Sequence, residues 1–225
     1  FDGLILDIAK FQDTIILATS KGVYNLGIKD SSFVIDTIAL DIIYKEKQDI
    51  AFKFFQTNGK LLIGSLNYLS LYNENFKLTR RWNLKNVRAF TKINNKVYFA
   101  SYPSGIHRLI NINDENRLQI KSTPLKEVEH LLTLSIGASQ DNNIWLGLYG
   151  GGVIKFEPGT QKTTHFSTKD GLPNNTIYSI SPSKKHIWFS TNGGLSRLDI
   201  NNEEFENYNT SDGLQSLEFN SGAVF

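Results

Sequence analysis

The chain repeats itself. Residues 142–158 read NNIWLGLYGGGVIKFEP and residues 185–200 read KHIWFSTNGGLSRLDI. Both follow one plan: an apolar residue, Trp, an apolar residue, a small residue, a turn with paired glycines, then a second short strand. Weaker copies occur at 14–27 (TIILATSKGVYNLG), 60–72 (KLLIGSLNYLSLY) and 96–109 (KVYFASYPSGIHRL). With Ile15, Leu61, Val97, Ile144 and Ile187 as the first strand residues, the copies are spaced by 46, 36, 47 and 43 residues. A period of roughly 40–45 residues is that of a four-stranded propeller blade. A helical solenoid unit of similar length is not supported, because the residues within each copy are β-branched or aromatic, alternate, and are interrupted by glycine.

A second marker keeps the same register. Asp170-Gly171-Leu172 and Asp212-Gly213-Leu214 lie 42 residues apart, and Asp2-Gly3-Leu4 is a third copy. In the best-defined repeat the strands are expected at 176–180, 187–191, 195–199 and 204–208, innermost to outermost. Gly193-Gly194 supplies the positive φ that the tight hairpin needs. The predicted fold is therefore an all-β β-propeller of four-stranded antiparallel blades. About five blades are expected, near 4–40, 49–81, 86–121, 131–166 and 175–208, in one propeller domain spanning 1–225. An extra strand at 219–225 either closes the ring or begins a further blade beyond Phe225. The second option is favoured and would make the chain part of a larger array.

Composition excludes several classes. With 24 basic and 22 acidic residues and no Lys/Arg block, the electrostatic footprint of a nucleic-acid binder is missing. The pairs Arg80-Arg81 and Lys184-Lys185 read as solvated turns. No cysteine occurs, which removes disulfides, thiol catalysis and Cys-ligated metals. The sequence itself holds no apolar run long enough to span a bilayer and no signal peptide; as it starts on Phe1, both are left open as removed or outside this chain.

Catalytic patterns are also lacking. His107, His130, His165 and His186 lie in or beside strands, at no spacing that pairs them with another ligand for a metal, and read as surface or cross-strand residues. Gly150-Gly151-Gly152 lies between two strands, with no helix N-terminus behind it to bind phosphate. The carboxylate pairs Glu203-Glu204, Asp114-Glu115 and Glu127/Glu129 sit in expected loops or on exposed strand positions. No catalytic residue, metal site or cofactor is expected. Trp145 and Trp188 occupy one repeat position, where a large ring fills the wedge between blades; a sugar-stacking role is the alternative.

Taken together, these units resemble the two-component regulator propeller repeats. The residues that carry the likeness are Asn143-Ile144-Trp145-Leu146-Gly147, Gly151-Gly152, Asp170-Gly171-Leu172-Pro173-Asn174-Asn175-Thr176-Ile177, Ile187-Trp188-Phe189-Ser190-Thr191, Gly193-Gly194-Leu195 and Asp212-Gly213-Leu214. The resemblance covers the last two blades well and the first 130 residues thinly. It implies the periplasmic sensor part of a bacterial inner-membrane receptor, with the membrane span and a histidine kinase or other output outside this chain. It also implies an oligosaccharide or other small ligand, and a homodimer as a partner arrangement. The loops joining strands two to three and four to one share one face of a propeller. On that face Tyr68, Tyr102, Tyr149, Asn174, Asn175 and Asn192 are the expected ligand contacts, since Tyr and Asn offer a flat apolar surface and directional hydrogen bonds. Trp145, Gly152, Asp170, Gly171, Trp188, Gly194, Asp212 and Gly213 are the expected structural residues of the repeat. Competing readings are a protein-interaction platform and a carbohydrate-active lyase or hydrolase.

Overall fold

The computed structural model describes residues 3–37, 49–103, 105–114 and 116–219. They form five four-stranded antiparallel sheets, each paired in chain order, the blades of a β-propeller. Blade 1 comprises β1 (Ile5–Phe11), β2 (Thr14–Thr19), β3 (Gly22–Lys29) and β4 (Ser32–Thr37). Blade 2 comprises β5 (Ala51–Thr57), β6 (Lys60–Ser65), β7 (Tyr68–Tyr72) and β8 (Leu78–Asn83). Blade 3 comprises β9 (Lys85–Ile93), β10 (Lys96–Tyr102), β11 (Gly105–Ile110) and β12 (Gln119–Pro124). Blade 4 comprises β13 (Thr133–Ala138), β14 (Ile144–Leu148), β15 (Val153–Glu157) and β16 (Lys162–Phe166). Blade 5 comprises β17 (Ile177–Pro182), β18 (His186–Thr191), β19 (Gly194–Asp199) and β20 (Phe205–Tyr208). The expected strand at 219–225 lies outside the described residues, apart from Phe219. No described helix is long and apolar enough to cross a membrane.

The chain divides into two compact units. The first, residues 1–88 with 111–119, holds blades 1 and 2. Its core is built from one face of each sheet, with Phe11, Ile16 and Val23 from blade 1 meeting Phe54, Leu61 and Ile63 from blade 2. Alternation puts every second residue on that face. The other face of blade 1 leaves Ile8, Ile28 and Phe33 exposed.

The second unit, 89–110 with 120–225, holds most of blade 3 and all of blades 4 and 5. Ile144, Leu146, Ile154 and Phe156 of blade 4 pack on Ile93, Tyr98 and Ile106 of blade 3. The opposite face of blade 4 presents Trp145, Val153 and Phe166 to Ile180, Phe189 and Leu198 of blade 5. Trp145 is fully buried. It stacks on Phe166 (ring centroids 5.9 Å apart), lies 6.2 Å from Phe189 and donates from Nε1 to Ser139 Oγ at 2.9 Å.

The turns explain the markers seen in the sequence. Gly152 and Gly194 close equivalent hairpins at φ +75° and +102°. A Cβ on either would fall 2.2 Å from a carbonyl oxygen, that of Phe166 or Tyr208 respectively, so glycine is required by conformation and by space together. The Asp-Gly-Leu marker is a 3₁₀ turn rather than a plain loop. Ser167 caps it by accepting from the Lys169 N–H, Asp170 answers by accepting from the Ser167 N–H, and Gly171 ends it in the left-handed region. Asn209, Asp212 and Gly213 repeat the device in full. This is a capping box in miniature, and it orients the chain leaving blades 4 and 5.

One expectation is corrected. Arg80 and Arg81 lie in β8, not in a turn; Arg81 donates from Nε to Ser70 Oγ at 3.0 Å and from Nη2 to the Tyr72 hydroxyl at 3.3 Å. A guanidinium at the outer strand can reach inward polar groups while its charge stays near water. His186 is a cross-strand residue, as expected: the β18–β19 register sets it opposite Asp199, 3.6 Å away.

Candidate functional site

In the second unit, the loops at one end of blades 4 and 5 converge. Tyr149 is held by its backbone, which donates to Leu132 O at 2.8 Å, while its side chain is 59% exposed. Beside it the Gly150 N–H donates to Thr176 Oγ1 at 3.2 Å, and the Gly152 N–H donates to Asn175 O at 2.7 Å. The glycine-rich β14–β15 turn is thereby fastened to the strand leading into blade 5. Asn192 sits in the β18–β19 turn and accepts from the Tyr178 hydroxyl at 3.0 Å.

Asn174 and Asn175 have a different role from Asn192. The Oδ1 of Asn174 accepts from the Thr176 N–H at 2.8 Å, and the Oδ1 of Asn175 accepts from the Thr168 N–H at 2.8 Å. Their carbonyl oxygens fix the interblade loop, which leaves the amide N–H groups as what they can offer a ligand. The structure thus brings Tyr149, Asn174, Asn175 and Asn192 to one end of two neighbouring sheets and adds Tyr178. Such an arrangement offers an exposed ring for apolar contact and several directional polar groups. Tyr102 ends β10 and is 39% exposed. In the first unit, Tyr68 opens β7, half-buried, with the Arg81 guanidinium 5.3 Å from its ring centroid.

Two polar clusters escaped the sequence reading. In the first unit Asp49, buried at 2% exposure, accepts from Ser65 Oγ and from Asn67 Nδ2, the latter at 2.9 Å. Asp49 stands in an interblade stretch without a motif, so only the fold reveals its partners. In blade 3, His107 lies between two hydroxyls: Nε2 is 2.7 Å from Ser101 Oγ and Nδ1 is 2.8 Å from Ser122 Oγ. Its ring stacks on Phe99 at 4.9 Å. Burial pushes its pKa down to about 4, because the charged form loses hydration without gaining a counter-ion. A hydroxyl on each nitrogen orients the ring but supplies no carboxylate to stabilise an imidazolium. The cluster therefore reads as a cross-strand tie. Among the described residues no group of three or more His, Cys, Asp or Glu side chains is placed to hold a metal ion.

Comparison with known proteins bears on the repeat and the fold. Residues 171–193, from the left-handed Gly171 through the loop and first hairpin of blade 5, match the sequence model of the two component regulator propeller family. The extracellular domain of the hybrid two component system BT3049 from B. thetaiotaomicron superposes with a TM-score of 0.75 at 20% identity, over 96% of this chain and 30% of that one. The chain therefore spans under a third of that relative's length. The β-propeller domain of Cps50 (Swd1) from Myceliophteria thermophila gives a TM-score of 0.63 at 11% identity, covering 91% of this chain and 69% of that one. The Neurospora crassa Pan2 WD40 domain gives 0.62 at 14% identity, covering 91% and 65%. These likenesses show the propeller fold. No curated protein sequence matches the chain.

Proposed function

We propose that this chain is an extracytoplasmic, non-enzymatic sensing segment of a two-component-type receptor, which binds an oligosaccharide or other small ligand and biases a signal carried across the membrane by parts of the protein outside this sequence. The observation that carries the reading is the loop cluster of Tyr149, Asn174, Asn175 and Asn192, set on a repeat of the two component regulator propeller type. An exposed aromatic ring beside fixed amide groups suits the apolar face and hydroxyls of a sugar. The extracellular placement of the BT3049 domain supports the same assignment. Blades hydrogen-bonded to one another through their loops, as Gly152 is to Asn175, offer a route by which a ligand could alter blade packing.

The test is an oligosaccharide panel assayed by thermal shift and calorimetry. Tyr149→Ala and Asn192→Ala are expected to keep the parent's melting temperature and to weaken binding of any hit about tenfold or more, as expected for removal of a stacking or hydrogen-bonding anchor. Undiminished affinity in both variants would remove this face from consideration. Turnover of a hit would replace sensing by catalysis.

A further inference from the structure

The contacts between blades 3 and 4 follow those between blades 4 and 5 position by position, yet differ in content. At the second of these seams, Trp145 stands opposite Lys155 on blade 4, and blade 5 answers with Phe205 and Glu203. Phe205 fills the wedge beside Phe166, with ring centroids 5.8 Å apart. Glu203 neutralises Lys155 at 3.1 Å. At the first seam, Tyr98 stands opposite Arg108 on blade 3. On blade 4 the position of Phe205 is held by Thr163, since Thr163 pairs with Phe156 as Phe205 pairs with Leu198. The position of Glu203 is held by Gln161. Both residues are left-handed, at φ 57° and 62°, and both donate their N–H to the carbonyl four residues earlier.

The two replacements have physical consequences. A smaller ring and a threonine leave the wedge unfilled. A cavity of about 240 Å³ opens over Leu125, Val128, Ile154 and Phe156, with Lys126 at its rim. A smaller one of about 30 Å³, lined by Tyr98, Arg108 and Lys121, shares Thr123, Phe156 and Gln161 with it. Thr123 Oγ1 donates to Gln161 Oε1 at 3.3 Å between them. The charge at this seam is also uncompensated. Three cations line the joined cavities and no described carboxylate does. The buried Nε of Arg108 has no hydrogen-bond partner, which is costly unless something supplies one.

We propose that the groove between blades 3 and 4 is a binding site for a small organic anion with an apolar body. Its carboxylate or sulfonate takes the place that Glu203 fills at the next seam, facing Arg108 and Lys121, and its body lies on Phe156 and Ile154. The cations provide charge-assisted hydrogen bonds and the apolar floor provides burial. The site is separate from the Tyr149 loops and does not depend on the reading given to them.

The probe is 4-phenylbutyrate, compared with its neutral counterpart 4-phenylbutanol, by calorimetry on the 225-residue chain at pH 7. The anion is expected to bind at least about tenfold more tightly than the alcohol, the discrimination that a charge-assisted hydrogen bond affords. Gln161→Glu restores the carboxylate in a backbone conformation that Glu203 already adopts. It is expected to keep the parent's melting temperature and weaken phenylbutyrate about tenfold or more. Thr163→Phe refills the wedge and is expected to abolish binding of both compounds while raising the melting temperature. Tyr149→Ala is expected to bind phenylbutyrate as the parent does, so failure here and failure of the loop site are distinguishable. Equal affinity for acid and alcohol, unchanged affinity in Gln161→Glu, or no saturable binding to the parent at millimolar concentration each overturns the proposal.

Discussion

His107 makes the stability of the fold depend on pH in a window where most of its neighbours do not titrate. The ring is 8% exposed, lies against Phe99 and two serine hydroxyls, and has its pKa lowered from 6.5 to about 4 by burial. In the unfolded chain the imidazole takes up a proton near pH 6.5; in the folded chain it stays neutral until about pH 4. Between these values the unfolded state binds more protons. Folding stability is therefore complete above pH 6.5 and declines as the pH falls towards 4. A gap of about 2.5 pKa units at 1.36 kcal/mol each makes the full loss about 3 kcal/mol. Between pH 7.5 and 4.5 the share lost is about 2–3 kcal/mol. The measurement is a difference, so that contributions shared by parent and variant cancel. Urea unfolding followed by circular dichroism at both pH values is compared between the parent and His107→Gln, whose amide still reaches a serine hydroxyl. The parent is expected to lose about 2–3 kcal/mol more than the variant. Equal losses in the two proteins would refute the buried, neutral histidine.

Two further outcomes test the architecture. Gly194→Val forces a β-branched side chain into a left-handed turn, with its Cβ 2.2 Å from the Tyr208 carbonyl oxygen; a cost of about 2–4 kcal/mol is expected, seen as a melting temperature lower by roughly 5–10 °C. Trp145→Ala is expected to cost about 3–5 kcal/mol in urea unfolding, while Trp188→Ala, at a half-buried ring, is expected to cost less than half as much.

The blade plan was legible because it rests on local rules. Alternation in stretches such as 144–148 and 187–191, with glycine wherever a hairpin needs positive φ, fixes strand and turn without knowledge of any neighbour. The loop residues Tyr149 and Asn192 were legible for the same reason, since the repeat fixes which turns share an end. What stayed hidden depends on the pairing of distant strands. Ser122 meets His107 only because β12 lies beside β11. Asp49 meets Asn67 only because an interblade stretch runs past the β6–β7 turn. Arg80-Arg81 was misread because charge suggests a turn, whereas an outer strand with one face towards water takes arginine readily. The Asp-Gly-Leu marker was visible, but the capping residues Ser167 and Asn209 lie three positions earlier and differ from each other, so sequence showed the turn's end without its beginning.

Equivalent letters in a repeat do not have equivalent energies, and the two tryptophans show why. Trp145 and Trp188 carry the same accessories. Each has a cation over its ring, Lys155 at 5.6 Å and Arg197 at 5.8 Å, and each has an aromatic partner from the outermost strand, Phe166 at 5.9 Å and Tyr208 at 5.5 Å. Trp145 is nevertheless fully buried and Trp188 only half so. The difference comes from the next sheet. Blade 5 covers Trp145 with Phe189 and draws Lys155 across to Glu203, whereas Trp188 lies on the opposite face of blade 5 from Phe189, and Arg197 turns back to Glu206 on its own blade. A blade is thus half of each seam it borders, and what fills the seam is decided by the pair. Aromatic rings and a matched charge close the one between blades 4 and 5. Threonine and glutamine at the corresponding positions leave the one between blades 3 and 4 open and positive. Specificity can then be written into a propeller by a few substitutions at a seam, while the strands and turns that define the fold stay as they are.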